Sequence, residues 1–344
     1  MRTTCLLPAL LAALLLAGPA LATDDDTARR VLQAVQKRAA SLSASGDSKA
    51  PWVEPVSWRP RAFVFHNFMT EEEADHIVKA AKPFMKRSTV VGPGGASVED
   101  SIRTSYGTFL KRLQDPVIAE VENRVATWTQ LNITHQEDMQ ILRYGIGQKY
   151  GAHYDSLDND SPRVATVLLY LSDVEEGGET AFPQGSEWID SSVQQRFEPF
   201  SECAAGHVAA KPKKGDALLF FSLKPDGKLD AASMHTGCPV VKGVKWTATK
   251  WIHTLPFRPN LMGKEPAEQI VYPEECKDAR PECADWAAAG ECEKNKAYMR
   301  GDMSTLGACR AACGDCEICA KADRDCMSRN RVRAGYLSME ELDM

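Results

Sequence analysis

His153 and Asp155, in the stretch KYGAHYDSLDND over 149–160, stand two apart on what reads as a strand. Strand side chains repeat every second residue, so an imidazole and a carboxylate at this spacing project from one face, as two adjacent metal ligands do. A surface or hydrogen-bonded histidine beside a carboxylate gives the same pair. A third ligand from elsewhere in the chain has to decide between the two. The seven histidines are His66, His76, His135, His153, His207, His235 and His253. His235 is the best candidate, because it opens the strand-like run MHTGCPVVKGVKWTATKWIH. Two histidines and one carboxylate on one face of a metal leave positions open on the other. That is the pattern of a non-haem Fe(II) oxygenase, in which a bidentate cosubstrate and dioxygen bind together.

Such ligands need strands to hold them. MQILRY, VATVLLYL, HVAA, ALLFF and TATKWIH are short apolar or alternating runs separated by Gly, Pro and Asp. They predict strands of a sandwich or barrel. Ahead of them, RAFVFHNFM predicts a strand and TEEEADHIVKAAKPF a helix. Thr70 is its N-cap and Glu73 completes a capping box. Ala74, Ile77, Val78 and Ala81 form its apolar face. A second helix starts at Asp115–Pro116 and presents Ile118, Val121, Val125 and Trp128 on one side.

The 344 residues suffice for one large or two smaller domains, and a net charge of −6 with mixed signs argues against a nucleic-acid partner. Arg2, a Leu/Ala run and Ala20-Leu21-Ala22 predict a secretory signal over 1–22, cleaved after Ala22. Retention of that run as a membrane anchor is the alternative, against which its shortness, Pro8 and Pro19 argue. Residues 23–51 read as a helical start followed by a flexible linker. Of eleven cysteines, Cys5 leaves with the signal, and eight of the rest fall between Cys276 and Cys326. In a secreted chain this clustering predicts disulfides. Asn132, in NIT, and Asn159, in NDS, are candidate glycosylation sequons.

Four blocks in order, EDMQILRYGIGQKYGAHYD, RVATVLLYLSDVEEGGETAFP, KPKKGDALLFFSLKPDG and MHTGCPVVKGVKWTATKWIH, run from about Glu137 to His253. Together they resemble the prolyl 4-hydroxylase family of 2-oxoglutarate-dependent dioxygenases, most closely its plant and green-algal type, with weaker likeness back to about Pro55. The resemblance implies an α+β fold: a double-stranded β-helix, or jelly-roll, core over 52–260, flanked by helices. It implies His153, Asp155 and His235 as iron ligands and Lys245 as partner of the far carboxylate of 2-oxoglutarate. Thr180 and Tyr144 match hydroxyls that hold the same carboxylate. Arg163, Glu137, Tyr150 and Trp251 match positions lining the peptide groove or the iron pocket. The implied cofactors are Fe(II), 2-oxoglutarate and ascorbate. The implied reaction is 4-hydroxylation of peptidyl proline with release of succinate and carbon dioxide.

A proline-rich partner in polyproline II conformation suits a groove, because that conformation is extended beforehand. The expected substrates are proline-rich secreted or cell-wall proteins, then collagen-like chains. The expected location is the endoplasmic reticulum lumen or the Golgi, with secretion or signal anchoring as alternatives.

The six cysteines from Cys276 to Cys316, with WAAAGEC and YM between them, resemble a ShKT domain. That likeness implies the pairs Cys276–Cys316, Cys283–Cys309 and Cys292–Cys313, since six cysteines alone allow fifteen connectivities. Cys203–Cys238 and Cys319–Cys326 are the remaining pairings, and 317–344 reads as a tail. Two other functions compete. One is a related hydroxylase acting on lysine or another peptidyl side chain. The other is a secreted binding protein whose ShKT module carries the function.

Overall fold

Alternation along one strand, Lys245–His253, organises the molecule. All nine of its residues are buried. Lys245, Thr247, Thr249 and Trp251 face a cavity on one side, and Trp246, Ala248 and Ile252 join the main apolar core on the other. The period of two thus divides one strand between a reaction chamber and a hydrophobic core.

The computed structural model describes residues 50–344, apart from 92–96, 99, 157–159, 186, 264–270 and 303–304. The expected signal, nearly all of the expected linker and Asn159 lie outside the described residues. Lys245–His253 lies inside an eight-stranded sheet. The order is Trp52–Trp58, Arg61–His66, Ala217–Phe221, Arg163–Tyr170, Lys245–His253, Met139–Tyr144, Tyr106–Leu110 and Lys86–Arg87. A four-stranded sheet, ordered Val208–Ala210, Thr180–Phe182, His235–Gly237 and Tyr150–His153, faces it. Phe182 of the small sheet meets Phe220 of the large one edge-on, with centroids 5.3 Å apart. Two facing sheets of this kind form the jelly-roll.

The two expected helices form at Glu71–Ala81 and Pro116–Thr129. Thr70 and Glu73 make the reciprocal capping box. Asp115 accepts from the amides of Val117 and Ile118, with Pro116 at the first helical position. Ala74, Ile77, Ala81, Ile118, Val121 and Val125 pack on Met139, Ile141, Val167 and Leu169 of the sheet. The sheet's outer face is thereby closed to water.

Residues 51–344 form one compact unit. Its cysteine-rich part contains the disulfides Cys276–Cys316, Cys283–Cys309 and Cys292–Cys313, and Cys319–Cys326 follows them. A fifth, Cys203–Cys238, lies in the jelly-roll. Residues 317–344, legible in the sequence only as a tail, carry helices at Arg324–Arg333 and Met339–Asp343. Between them Leu337 is fully buried in the main core, and Leu342 packs against that core. No helix among the described residues is long and apolar enough to cross a membrane.

Candidate active site

The three candidate ligands meet because strand pairing brings them together. His153 and His235 are register partners on neighbouring antiparallel strands. Their ring centroids lie 4.3 Å apart. Asp155 follows His153 and completes the set. Its carboxylate lies 3.5 Å from His153 Nε2 and 3.7 Å from His235 Nε2. One ligand atom from each residue falls within 4.8 Å of the others, the one such cluster among the described residues.

The hydrogen bonds fix which nitrogen is available. His153 Nδ1 donates to Gly151 O at 2.8 Å, and His235 Nδ1 donates to Ser233 O at 3.1 Å. A carbonyl only accepts, so each neutral ring carries its proton on Nδ1 and offers the Nε2 lone pair. Burial pushes the His235 imidazole down to about 4, with Asp155 opposing and His153 adding to the shift. Burial alone would raise the Asp155 carboxyl. His235, His153 and Thr166 outweigh it and hold the group well below the usual carboxylate range. Two imidazole Nε2 atoms and a carboxylate make a donor set that fits a divalent iron.

The cavity around this set encloses about 470 Å³ including its open mouth. Lys245, Thr180, Tyr144, Tyr150 and Trp251 line it with the triad. Lys245 is 3% exposed, and its ammonium lies 5.4 Å from the Tyr144 ring centroid. The two are register partners on adjacent strands. Among the described residues no carboxylate lies within ion-pairing distance of Lys245; burial lowers its pKa to about 8, and the more distant Glu179 carboxylate opposes the shift. A buried cation facing a cavity without an anion is a site for an anionic ligand. Thr180 accepts a hydrogen bond from the Tyr170 hydroxyl at 3.2 Å. The Tyr144 hydroxyl bonds with Ser105, and burial pushes its pKa up to about 12. Gly177, just before Thr180 in the chain, has φ +76, and a Cβ there would meet Pro239 O at 2.3 Å. Only glycine lets the Glu176–Gly177 segment, which leads into the strand carrying Thr180, approach Pro239 so closely.

Glu137 and Arg163 stand behind the cavity wall and act on it through neighbours. Arg163 stacks its guanidinium 3.8 Å from the Trp251 ring centroid. It donates to Glu137 Oε1 at 2.5 Å and to Asp155 O at 3.2 Å. Glu137 also pairs with His253 Nε2 at 2.7 Å. These partners outweigh the desolvation that would raise its carboxyl, and its pKa is lowered.

Several contributors were not singled out in the sequence. Thr166 donates to Asp155 Oδ2 at 2.7 Å. Its signal was present, as a polar residue within the apolar run RVATVLLYL. Arg103 lines the cavity, donating to Gln140 Oε1 at 3.0 Å and lying 4.5 Å from the Tyr150 ring centroid. It comes from a stretch without periodicity, so no pattern marked it.

Comparison with known proteins agrees with this geometry. Residues 139–253 match the 2OG-Fe(II) oxygenase superfamily, and residues 275–316 match the ShK domain-like family. Probable prolyl 4-hydroxylase 4 of Arabidopsis thaliana is 44% identical over 272 residues, covering 77% of this chain and 88% of that protein. The chain belongs to the prolyl 4-hydroxylase family. Prolyl 4-hydroxylase 2 of the same plant is 43% identical over 271 residues, again covering 77% of this chain and 88% of the relative. Among solved structures, a viral collagen prolyl hydroxylase from Paramecium bursaria Chlorella virus-1, in complex with 2OG, matches 56% of this chain and 96% of its own. The identity is 26% and the TM-score 0.43. As a member of this family, the chain is an Fe(II)- and 2-oxoglutarate-dependent oxygenase, and its His-Asp-His cluster is the iron-binding triad.

Proposed function

We propose that the protein hydroxylates peptidyl proline at carbon 4. The observation that carries this reading is the coexistence, in one cavity, of a complete iron triad and a buried lysine that has no ion-pair partner among the described residues. Iron and 2-oxoglutarate, when bound, would supply the oxidative chemistry with dioxygen as oxidant: one oxygen atom would enter succinate as carbon dioxide leaves, and the other would enter the substrate's C–H bond as a hydroxyl.

The chain's own residues then bind, orient and shield. His153, Asp155 and His235 hold the metal from one side and leave its other side facing the cavity. Lys245 neutralises the far carboxylate of 2-oxoglutarate, with Thr180 and Tyr144 offering hydroxyls beside it. The compact ammonium suits a single carboxylate in a narrow space. Leu142, Leu168 and Phe220 contribute apolar lining that limits water. On the substrate side, the Trp251 indole N–H is buried with no partner among the described residues. It suits a peptide carbonyl, and its ring presents an apolar face to a proline.

Proline-rich secreted or cell-wall proteins in polyproline II conformation are the substrates we propose, with collagen-like chains second, because that conformation is extended before binding. Ten cysteines joined in five disulfides argue for an oxidising compartment, so we place the enzyme in the endoplasmic reticulum lumen or the Golgi. Asn132 is exposed, and its Oδ1 accepts from the amide and hydroxyl of Thr134, both at 2.9 Å. That leaves its amide nitrogen for a glycan. Incubation with Fe(II), 2-oxoglutarate, ascorbate and a panel of polyproline, collagen-like and lysine-bearing peptides tests the substrate class. Hydroxylation confined to the lysine-bearing peptides would replace the prolyl reading with the lysyl one.

A further inference from the structure

The outer strand of the large sheet is Lys86–Arg87. An edge strand offers unpaired N–H and C=O groups and is a ready site for strand addition. Here the same chain supplies the addition from its C-terminus. Arg87 N donates to Gly335 O at 3.0 Å, and Leu337 N donates to Met85 O at 3.1 Å. The pairing is antiparallel and centres on Lys86 opposite Tyr336. Leu337 is fully buried in the main core. Arg331, equally buried, donates to Pro83 O at 2.9 Å and Leu337 O at 2.6 Å, and pairs with Glu274 at 2.6 Å. Lys86 donates to the carbonyls of Asp302 and Thr305, which ties in the cysteine-rich part.

The strand clamped in this way leads to one wall of the cavity. Ser88 N donates to Ser105 O at 2.9 Å, the two hydroxyls bond at 2.9 Å, and the Arg87 guanidinium donates to Thr104 O. Arg103 comes next, donating to Thr89 O at 3.3 Å and stacking on Tyr150. Tyr150 in turn stacks on the iron ligand His153, with centroids 3.7 Å apart. Backbone pairs and buried or half-buried side chains make these links, which join 335–337 to 87–88 and 87–88 to 103–105.

We infer that Gly335–Leu337 is a positioning strand for the peptide-side wall: by completing the sheet edge at Lys86–Arg87, it holds Arg103 and Tyr150 in place for peptide binding. This rests on the peptidyl hydroxylase reading of the cavity. It gives residues 317–344 a role in the reaction, and it explains why they are anchored in the oxygenase core.

The test uses the full chain with Leu337→Asp, which places a charge where the core requires an apolar group, and the milder Leu337→Ala. Hydrogen exchange at residues 87–88 and 103–105 accelerates about tenfold or more in Leu337→Asp, while the central strand Lys245–His253 keeps its protection. The KM for a synthetic polyproline peptide rises about fivefold or more, with kcat and the KM for 2-oxoglutarate within about twofold of wild type. Leu337→Ala changes the same quantities in the same direction by less. Unchanged exchange at 87–88 and 103–105 overturns the inference. So does exchange that rises equally in the central strand of Leu337→Ala, which marks a purely structural role. The exchange arm needs no turnover, so a wild-type protein inert toward peptides refutes the proposed function and leaves this arm readable.

Discussion

Thr166 donates its hydroxyl to Asp155 Oδ2 at 2.7 Å, from a strand of the large sheet that faces the triad. The bond holds the carboxylate that both histidines share. Partners of this kind orient metal ligands, and their loss weakens metal binding about 10–100-fold. Thr166→Val keeps the branched shape and removes the donor. Anaerobic Fe(II) titration of this variant should show a dissociation constant raised by about tenfold or more, with kcat near wild type at saturating iron. A wild-type iron affinity contradicts the role assigned to Thr166.

Lys245 makes cosubstrate affinity pH-dependent. Burial lowers its pKa from 10.5 to about 8, so the ligand-free protein loses the ammonium as pH rises through that value. The far carboxylate of 2-oxoglutarate needs the charge. Its KM should therefore be flat below pH 8 and climb above it, by up to about tenfold per pH unit. The effect on the fold has the opposite sign. An unfolded chain keeps this proton up to about 10.5, so between the two values the unfolded state binds more protons and the ligand-free fold gains stability with pH. Lys245→Met should raise the KM at neutral pH and abolish its rise near pH 8. A pH profile identical to wild type in that variant removes Lys245 from the cosubstrate site.

Glu122 and Lys250 form an ion pair at 2.6 Å, and both side chains are fully buried. Lys250 also donates to Glu137 O, and Glu122 accepts from Leu113 N at 2.8 Å. Removing one partner strands a charge in the core and should cost about 3–5 kcal/mol. Glu122→Leu with Lys250→Met removes both charges. The double variant should cost less than the sum of the singles by about 1–3 kcal/mol in urea unfolding. Strictly additive losses would show that the pair has no mutual stabilisation.

The sequence made His153, Asp155 and the helix starts legible because local rules govern them. Capping at Thr70 and Asp115, alternation along Lys245–His253 and the spacing of His153 and Asp155 each depend on residues near one another in the chain. The choice of His235 as third ligand needed strand register, which local pattern does not encode; family likeness supplied it. Arg103 and the Leu337 anchor were hidden for the same reason. Arg103 reaches the cavity from a loop, and Leu337 sits in an extended segment between two polar helices, whose partner strand, Lys86–Arg87, lies far away in sequence. Glu137 was legible as a site residue, although its pairing with His253 depends on how two distant strands close.

The central claim is that this cavity couples iron-dependent 2-oxoglutarate turnover to proline hydroxylation through Asp155. Wild type and Asp155→Ala should be incubated with Fe(II), 2-oxoglutarate, ascorbate and a polyproline peptide, with succinate and 4-hydroxyproline quantified in the same reaction. Wild type should form the two products in equal amounts, and the variant should form neither above background. Hydroxyproline formed by Asp155→Ala at the wild-type rate would contradict the claim.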